Sequence, residues 1–591
     1  MSRLLEPTIL LGLFALGLWI LPKKYSKATM LTGIIISAAC TFVGYIGSKG
    51  QYIGWSDGFF FVDTGGVTGI QKVFLFVFAF ISVGIALYWQ DKKDINKYEM
   101  AASLVYLASS IGVVLAKDWI AFLIFWELMA LATIYMVYCG PGAKAKASAF
   151  RYMLYHLLGG NLLLAGIALT LVNGQAADVA QNMWEMAKAT NLGYYLILSG
   201  MLVNCAMPPL HSWLVDAYPK ASVESNLCMA SFTTKVTIFA MISLVGKEDW
   251  LILFGGIVAV WAAIMALMED NVRKLLAYHI ISQLGMMVCA LATGTLAGDA
   301  GASLHAAYNI LYKGLLLMVA GTIFYATGFE RLSQMKGQNL AKQMPIVFVC
   351  TIIGSLSIAG VPYSNGFASK ALLMEGTSAQ AIGTWLLVVA GVGTWLSIVM
   401  KINYFAFVYD LIHKDRKTKE NNVTRLTIGQ LGYFRISAMV LTSIACVVTG
   451  IFPNLGYDIV KVYPHHLFSL EHIAQYAGLF IGATVAFALL IKILEPHKGE
   501  VLGVDYLYRT YLPKINVLAG SIGKVYEYTD QLAYDFYKSI VEFLYHPKQV
   551  IGIENFKRAN EDQGETKPLS QTVHVLVFLC IIAMFIVFIL E

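Results

Sequence analysis

The sequence predicts an all-α polytopic membrane protein. Hydrophobic residues make up 58% of its 591 positions and charged residues only 13%, against about half and a quarter in an ordinary soluble domain. The apolar residues gather into about 16 stretches long enough to cross a bilayer as helices. The basic residues gather in the loops between them, on alternate loops, as a topology signal requires.

In chain order the expected spans are residues 7–21, 28–46, 70–89, 99–116, 119–138, 149–173, 192–209, 222–245, 250–268, 274–296, 302–326, 345–377, 380–411, 432–452, 473–494 and 571–590. The first has a single Arg before it and no small-residue cleavage site after it, so it reads as a spanning helix rather than a signal peptide. Lys23, Lys24 and Lys27, then Lys92, Lys93 and Lys97, then Lys144 and Lys146 lie on alternate loops. Arg331, Lys336 and Lys342, followed by Lys414, Arg416, Lys417 and Lys419, keep the same alternation. The positive-inside rule places these loops in the cytoplasm and both termini outside.

Two spans are interrupted. Pro208 and Pro209 end the seventh, and Gly360, Pro362 and Gly366 break the twelfth; proline removes a helical hydrogen bond, so such breaks need a polar or protein-lined setting. Residues 99–245 and 246–411 then form two five-helix units with a break in the fourth helix of each. An odd-numbered repeat reverses direction, giving inverted repeats. Residues 1–98 supply extra helices before these units, and residues 412–496 supply more after them. Residues 497–570, rich in aromatic and charged residues at helical spacing, read as an amphipathic helix on the membrane surface. Residues 571–591 form a terminal anchor.

Composition excludes several functions. The net charge of +6 is spread over loops, so no nucleic-acid partner is expected. The eight cysteines include no C-x-x-C pair, and no phosphate loop, nucleophile triad or metal-ligand cluster is present. We therefore expect no cofactor, no metal and no bond chemistry; the chain moves ions.

The candidate residues are ionisable groups inside apolar spans, which default to function because a charge at bilayer depth costs about 2.5–3.5 kcal/mol. Glu127 lies in Trp119-Ile-Ala-Phe-Leu-Ile-Phe-Trp-Glu127-Leu-Met, and Lys235 lies mid-span in the eighth stretch. His305, Asn309 and Lys313 follow at four-residue steps along one helix face. Lys370 sits beside the second break, where unwound carbonyls and water can meet it. Lys274 and Lys401 are weaker candidates, each able to mark a helix end or snorkel, and His156 and His211 can cap or brace helices.

Five stretches together resemble the antiporter-like subunits of respiratory complex I and the Mrp-type cation/proton antiporters. They are Phe125-Trp-Glu127-Leu-Met, Pro208-Pro-Leu-His-Ser-Trp-Leu-Val-Asp-Ala-Tyr218, Asp270 to Gly285, His305 to Leu316, and Gly366 to Lys370. The resemblance covers about residues 55–410, in family order. It implies two half-channels joined by a hydrophilic axis. Glu127 takes the charge-pair role, Lys235 and His305 the central axis, and Lys313 and Lys370 the second half-channel. In the family a lysine usually stands where this chain has Asn204, and a histidine often where it has Asn309. The expected partner of Glu127 is then Lys235, or the first half-channel works differently or not at all. The tail is similar to the lateral helix and anchor of the largest such subunits, though shorter.

The resemblance implies a proton-translocating subunit, with sodium exchange as an option, in a prokaryotic inner membrane. Its partners would be other membrane subunits, contacted partly through the lateral helix. A redox-driven pump, a secondary antiporter, a proton-conducting subunit of an inorganic-carbon uptake complex and an inactive scaffold all remain open.

Overall fold

The computed structural model describes residues 7–46, 67–116, 118–173, 187–188, 191–413, 425–465 and 467–496. The expected surface helix over 497–570 and the anchor over 571–590 lie outside these residues. Within them the architecture is helical, with an isolated bridge between Asn271 and Arg331 and no β-strand. Among the described residues twelve helical runs are long and apolar enough to cross a membrane, and Pro7–Ile20 and Pro345–Ala359 are shorter apolar helices.

The helices are α1 (Pro7–Ile20), α2 (Ser26–Thr41, extended by a wider turn to Ile46), α3 (Gly69–Gln90), α4 (Lys97–Leu115), α5 (Trp119–Tyr138) and α6 (Ala143–Asn173). Next come α7 (Asn191–Asn204), α8 (Ser212–Ala217), α9 (Val223–Ser231), α10 (Thr233–Leu244), α11 (Asp249–Met268), α12 (Val272–Leu291) and α13 (Leu296–Thr327). They are followed by α14 (Pro345–Ala359), α15 (Asn365–Thr377), α16 (Ala381–Thr394), α17 (Tyr433–Ile451) and α18 (Leu470–Leu494). Polar residues begin many of them. Asn96 accepts from the Tyr98 N–H (3.1 Å), Asp118 from Ile120 (2.9 Å), Asn271 from Lys274 (3.1 Å) and Thr295 from Gly298 (3.0 Å). Each cap satisfies donors that the first turn leaves open.

The basic loops meet one another on one face, as their alternation predicts. Lys27 reaches the Gln90 carbonyl and Lys97 the Trp19 carbonyl, Arg273 pairs with Glu330, and Lys336 pairs with Glu495. Helices α4, α9, α10, α12 and α13 are almost wholly buried, polar residues included. By contrast, α6, α11 and α18 expose Leu157, Ile257 and Leu489, among others. Apolar side chains facing outward from peripheral helices suit a lipid surround rather than water.

The two expected breaks are present. The seventh span stops at Asn204, turns through a cis Pro208–Pro209 peptide and resumes as α8. The twelfth stops at Gly360, whose φ of +79° ends α14, and resumes after the Ser364 cap as α15. A third break was not expected: the eighth span divides at Phe232 into α9 and α10. Tyrosines repair it. The Tyr106 hydroxyl accepts from the Thr233 N–H (2.7 Å) and bonds the Met229 carbonyl (3.3 Å), which Tyr218 also reaches (3.1 Å). Helix α16 runs on as π-helix over Trp395–Ile402 and Tyr404–Val408. Asn403 donates to the Val399 carbonyl (3.0 Å) and to Ser355 (3.0 Å), so its amide serves acceptors that the wider register leaves open.

Candidate functional site

The buried lysines share one device: each amine reaches backbone carbonyls on a different helix or across a break. Lys370 donates to the Ile358 (2.9 Å) and Ala359 (2.8 Å) carbonyls at the end of α14. Lys235 donates to Ala230 in the last turn of α9 (2.8 Å) and lies 3.2 Å from the Thr234 hydroxyl. Lys401 reaches Leu267 (2.6 Å) and Glu269 (2.9 Å) at the end of α11. A helix C-terminus carries about half a negative elementary charge and carbonyls with no intrahelical donor, so it is a natural seat for an amine. Lys313 differs, because its acceptor is the Leu276 carbonyl within α12 (3.0 Å).

Among the described residues, none of Lys235, Lys313, Lys370 and Lys401 has a carboxylate within ion-pair distance. All four are buried, from 0% to 4% exposed. A buried charge without a counter-ion is costly, so the charge on each amine follows its surroundings rather than a fixed pair.

Polar side chains join these amines. His305, on α13, lies with Nδ1 2.9 Å from the Ser369 hydroxyl and Nε2 2.8 Å from the Gln283 amide oxygen. That oxygen only accepts, so Nε2 carries a proton, while Nδ1 faces the hydroxyl of Ser369, the neighbour of Lys370. Tyr312 lies 3.4 Å from His305 Nε2, and Asn309 donates to Tyr312 (3.3 Å). Gln283 reaches Thr394 (3.4 Å), and one turn before it on α12, His279 pairs with Ser397 (2.7 Å) on the π segment that also carries Lys401. Lys235 lies within electrostatic reach of both Lys313 and His305. A polar layer thus crosses α10, α13, α12, α15 and α16.

Glu127 stands apart. Its carboxylate packs against Gly160 on α6, where any side chain would collide with it. No ion pair joins it to Lys235, so the expected contact is not made; the Lys235 amine turns instead to the end of α9. Asn204 donates to the Gly200 carbonyl (3.3 Å), and its side chain lies beside His156. His156 stacks on Tyr152 (4.1 Å between centroids), and His211 packs edge-on to Trp261 (4.8 Å). Lys274 is tied to Glu269 (3.1 Å) at the basic-loop end. Of the three prolines at the breaks, Pro208 and Pro209 lie between α7 and α8, and Pro362 lies between α14 and α15.

Sequence reading passed over His279, Gln283, Tyr312, Ser369 and Ser397, whose signal is a polar residue at helical spacing from a named one. It also passed over a buried ionic cluster at the basic-loop face. There the Lys92 ammonium lies 3.1 Å from both Glu99 and Glu224. Burial works against the charge on Lys92, yet the two carboxylates outweigh it and hold its pKa above the ordinary 10.5. A raised folded-state value means this stabilisation is complete below the ordinary lysine pKa and is lost as pH climbs through the raised one. We expect wild-type melting temperature to fall in that alkaline window and Lys92→Met to start lower and lack that fall. A pH series of melting curves checks it.

Residues 116–397 match the family described as "NADH:quinone oxidoreductase/Mrp antiporter, TM". A Na(+)/H(+) antiporter protein of Alkalihalophilus pseudofirmus is 27% identical over 442 residues, which are 67% of this chain and 53% of that protein. The chain spans about half the length of the Na(+)/H(+) antiporter relatives it matches. A chain of the Mrp complex from Dietzia sp. DQ12-45-1b superposes with a TM-score of 0.66 at 20% identity, covering 81% of this chain and all of that one. A chain of respiratory complex I from Thermus thermophilus gives 0.60 at 19% identity, covering 77% and 99%. These likenesses establish a shared membrane fold.

Proposed function

From the match of residues 116–397 to the NADH:quinone oxidoreductase/Mrp antiporter family, we propose that this chain is a proton-translocating membrane subunit of a multisubunit complex. One observation carries the reading: four buried lysines without carboxylate partners among the described residues, three of them set on or beside the polar layer around His305. Amines held by backbone carbonyls and joined by a histidine can take and release protons as local charge and hydration change.

Residues 99–245 and 246–411 act as two inverted five-helix units. The basic-loop face is cytoplasmic, and the complex sits in a prokaryotic inner membrane. In the second unit, protons pass between Lys370, His305 and Lys313, and Lys401 forms the exit towards α11. Lys274 keeps the loop end of this unit closed by its pair with Glu269. Lys235 links the units through its nearness to Lys313 and His305. Partner subunits bind partly through residues 497–570, and sodium exchange is the variant that an antiporter complex would add.

The test uses membrane vesicles containing the native complex, with proton uptake followed by a pH-sensitive dye. Lys370→Ala should lower the rate about tenfold, equivalent to about 1.4 kcal/mol on the limiting step. Unchanged flux in both Lys370→Ala and Glu127→Ala would refute the reading. A mild-detergent pull-down identifies the driver: iron–sulfur or flavin subunits mark a redox pump, small membrane subunits alone an antiporter, and a lone zinc protein a carbon-uptake system.

A further inference from the structure

Where α14 and α17 pack together, they leave a groove of about 450 Å³ between them. Ile346, Val349 and Ile353 on α14 and Val440, Ile444 and Val447 on α17 line it. Each set recurs at three- and four-residue steps and so shares one helix face. Val349 and Ile444 are 53% and 54% exposed, so the groove opens outward to the lipid that surrounds these helices. Cys350 and Ser443 lie deeper in its wall and are buried. The Ser443 hydroxyl lies beside the Cys350 thiol and meets no oxygen or nitrogen partner among the described residues.

The loop end of this groove is basic. Pro345 and Arg425 line it there, and the Leu426 N–H ties the Arg425 segment to the Gln343 carbonyl (2.9 Å). Arg425 is exposed, as is Lys342 just before α14. Lys92, Arg273, Lys274 and Lys336 each meet a carboxylate; among the described residues neither Arg425 nor Lys342 does. An uncompensated guanidinium at the end of an apolar groove suits a ligand with a phosphate at one end and a hydrocarbon tail at the other. Cys350, the neighbour of Ser443, lies five residues beyond Pro345, about 7.5 Å along the helix. That sets a hydroxyl donor below the cation, in the order in which a phospholipid carries its phosphate and its ester carbonyls. A protein helix in the groove would have to bring a carboxylate to Arg425, and residues 571–590 of this chain contain none.

We propose that the groove between α14 and α17 is a binding site for one anionic phospholipid of the leaflet on the basic-loop side. Arg425 holds its phosphate, with Lys342 adding charge at the mouth. The Ser443 hydroxyl donates to an ester carbonyl, and one acyl chain lies along Ile353, Ile444 and Val447. The positive-inside rule puts this mouth in the cytoplasmic leaflet, where anionic headgroups gather and basic pockets between spanning helices take them up. The site stands whether or not the chain moves protons.

The test uses the full chain in its native complex, reconstituted in phosphatidylcholine vesicles with a small share of phosphatidylglycerol carrying a diazirine in its acyl chain. After illumination, labelled peptides are identified by mass spectrometry. Adducts should concentrate on 346–353 and 440–448 and be competed by unlabelled phosphatidylglycerol far better than by phosphatidylcholine. Arg425→Gln, a change at an exposed position, should weaken that labelling about fivefold. Ile444→Trp, which fills the groove, should remove it while leaving adducts on the exposed face of α18 unchanged. Adducts spread evenly over α6, α11 and α18, or labelling indifferent to Arg425→Gln, would mean ordinary surrounding lipid and overturn the proposal. No adducts in the groove would mean that a protein segment covers it, and would overturn the proposal equally. Should the variants fail to assemble, the preference of the wild-type complex for phosphatidylglycerol over an equivalent diazirine phosphatidylcholine decides: equal labelling of the groove overturns the site.

Discussion

Replacing Lys313 with methionine should lower proton flux about tenfold or more while leaving the melting temperature nearly unchanged. The amine is fully buried on α13, and its acceptor is the Leu276 carbonyl. That carbonyl lies inside α12, where the helix's own ladder supplies a donor, so removing the amine orphans no backbone group. Methionine matches the length of the lysine stem, and swaps of similar volume cost less than about 1.5 kcal/mol. What disappears is one protonatable site between Lys235 and the His305–Ser369–Lys370 series. Vesicle flux and thermal melting, measured together, separate the two effects; full flux in Lys313→Met would remove this lysine from the path.

Gly366→Val should do the reverse and damage the fold first. A Cβ at this position runs into the Ser357 carbonyl oxygen, because α15 begins directly against the end of α14. Backbone cannot yield as a flexible side chain can, so the cost is of the overpacking kind, about 1–3 kcal/mol. Separating the two half-helices also draws Lys370 away from the Ile358 and Ala359 carbonyls, leaving buried acceptors unpaired. Melting temperature and flux should fall together. A variant that melts like wild type would show that the break tolerates more space than its contacts indicate.

The parts of this architecture legible in the sequence were those written in local chemistry. Runs of about 20 apolar residues locate the helices, and proline with glycine marks the interruptions at Pro208–Pro209 and Gly360–Pro362. The break at Phe232 has neither residue. It is imposed by Tyr106 and Tyr218, which supply hydrogen-bond partners from other segments, and no local pattern records that. The Glu127–Lys235 contact failed for a related reason. Opposite charges in two apolar spans suggest attraction, but the direction each side chain takes around its helix depends on neighbours. Gly160 makes room for the carboxylate on one side, while the end of α9 draws the amine to another. Lys92 looked like a topology marker in a basic loop. It is a half-buried bridge because the first turn of α9 places Glu224 beside Glu99.

The π-helical stretches of α16 have a consequence for how this protein can change. Each wide turn holds roughly one residue more than an α-turn, and one residue corresponds to about 100° of rotation around the helix axis. Ser397, which meets His279, and Lys401, which meets the end of α11, both lie in the first of these stretches. Their aim is therefore a matter of phase, fixed by how many residues precede them as much as by which residues they are. Losing a single position there would swing Lys401 towards a different neighbour with every side chain chemically intact. Insertion and deletion, rather than substitution, are the steps by which such a helix re-aims its charge.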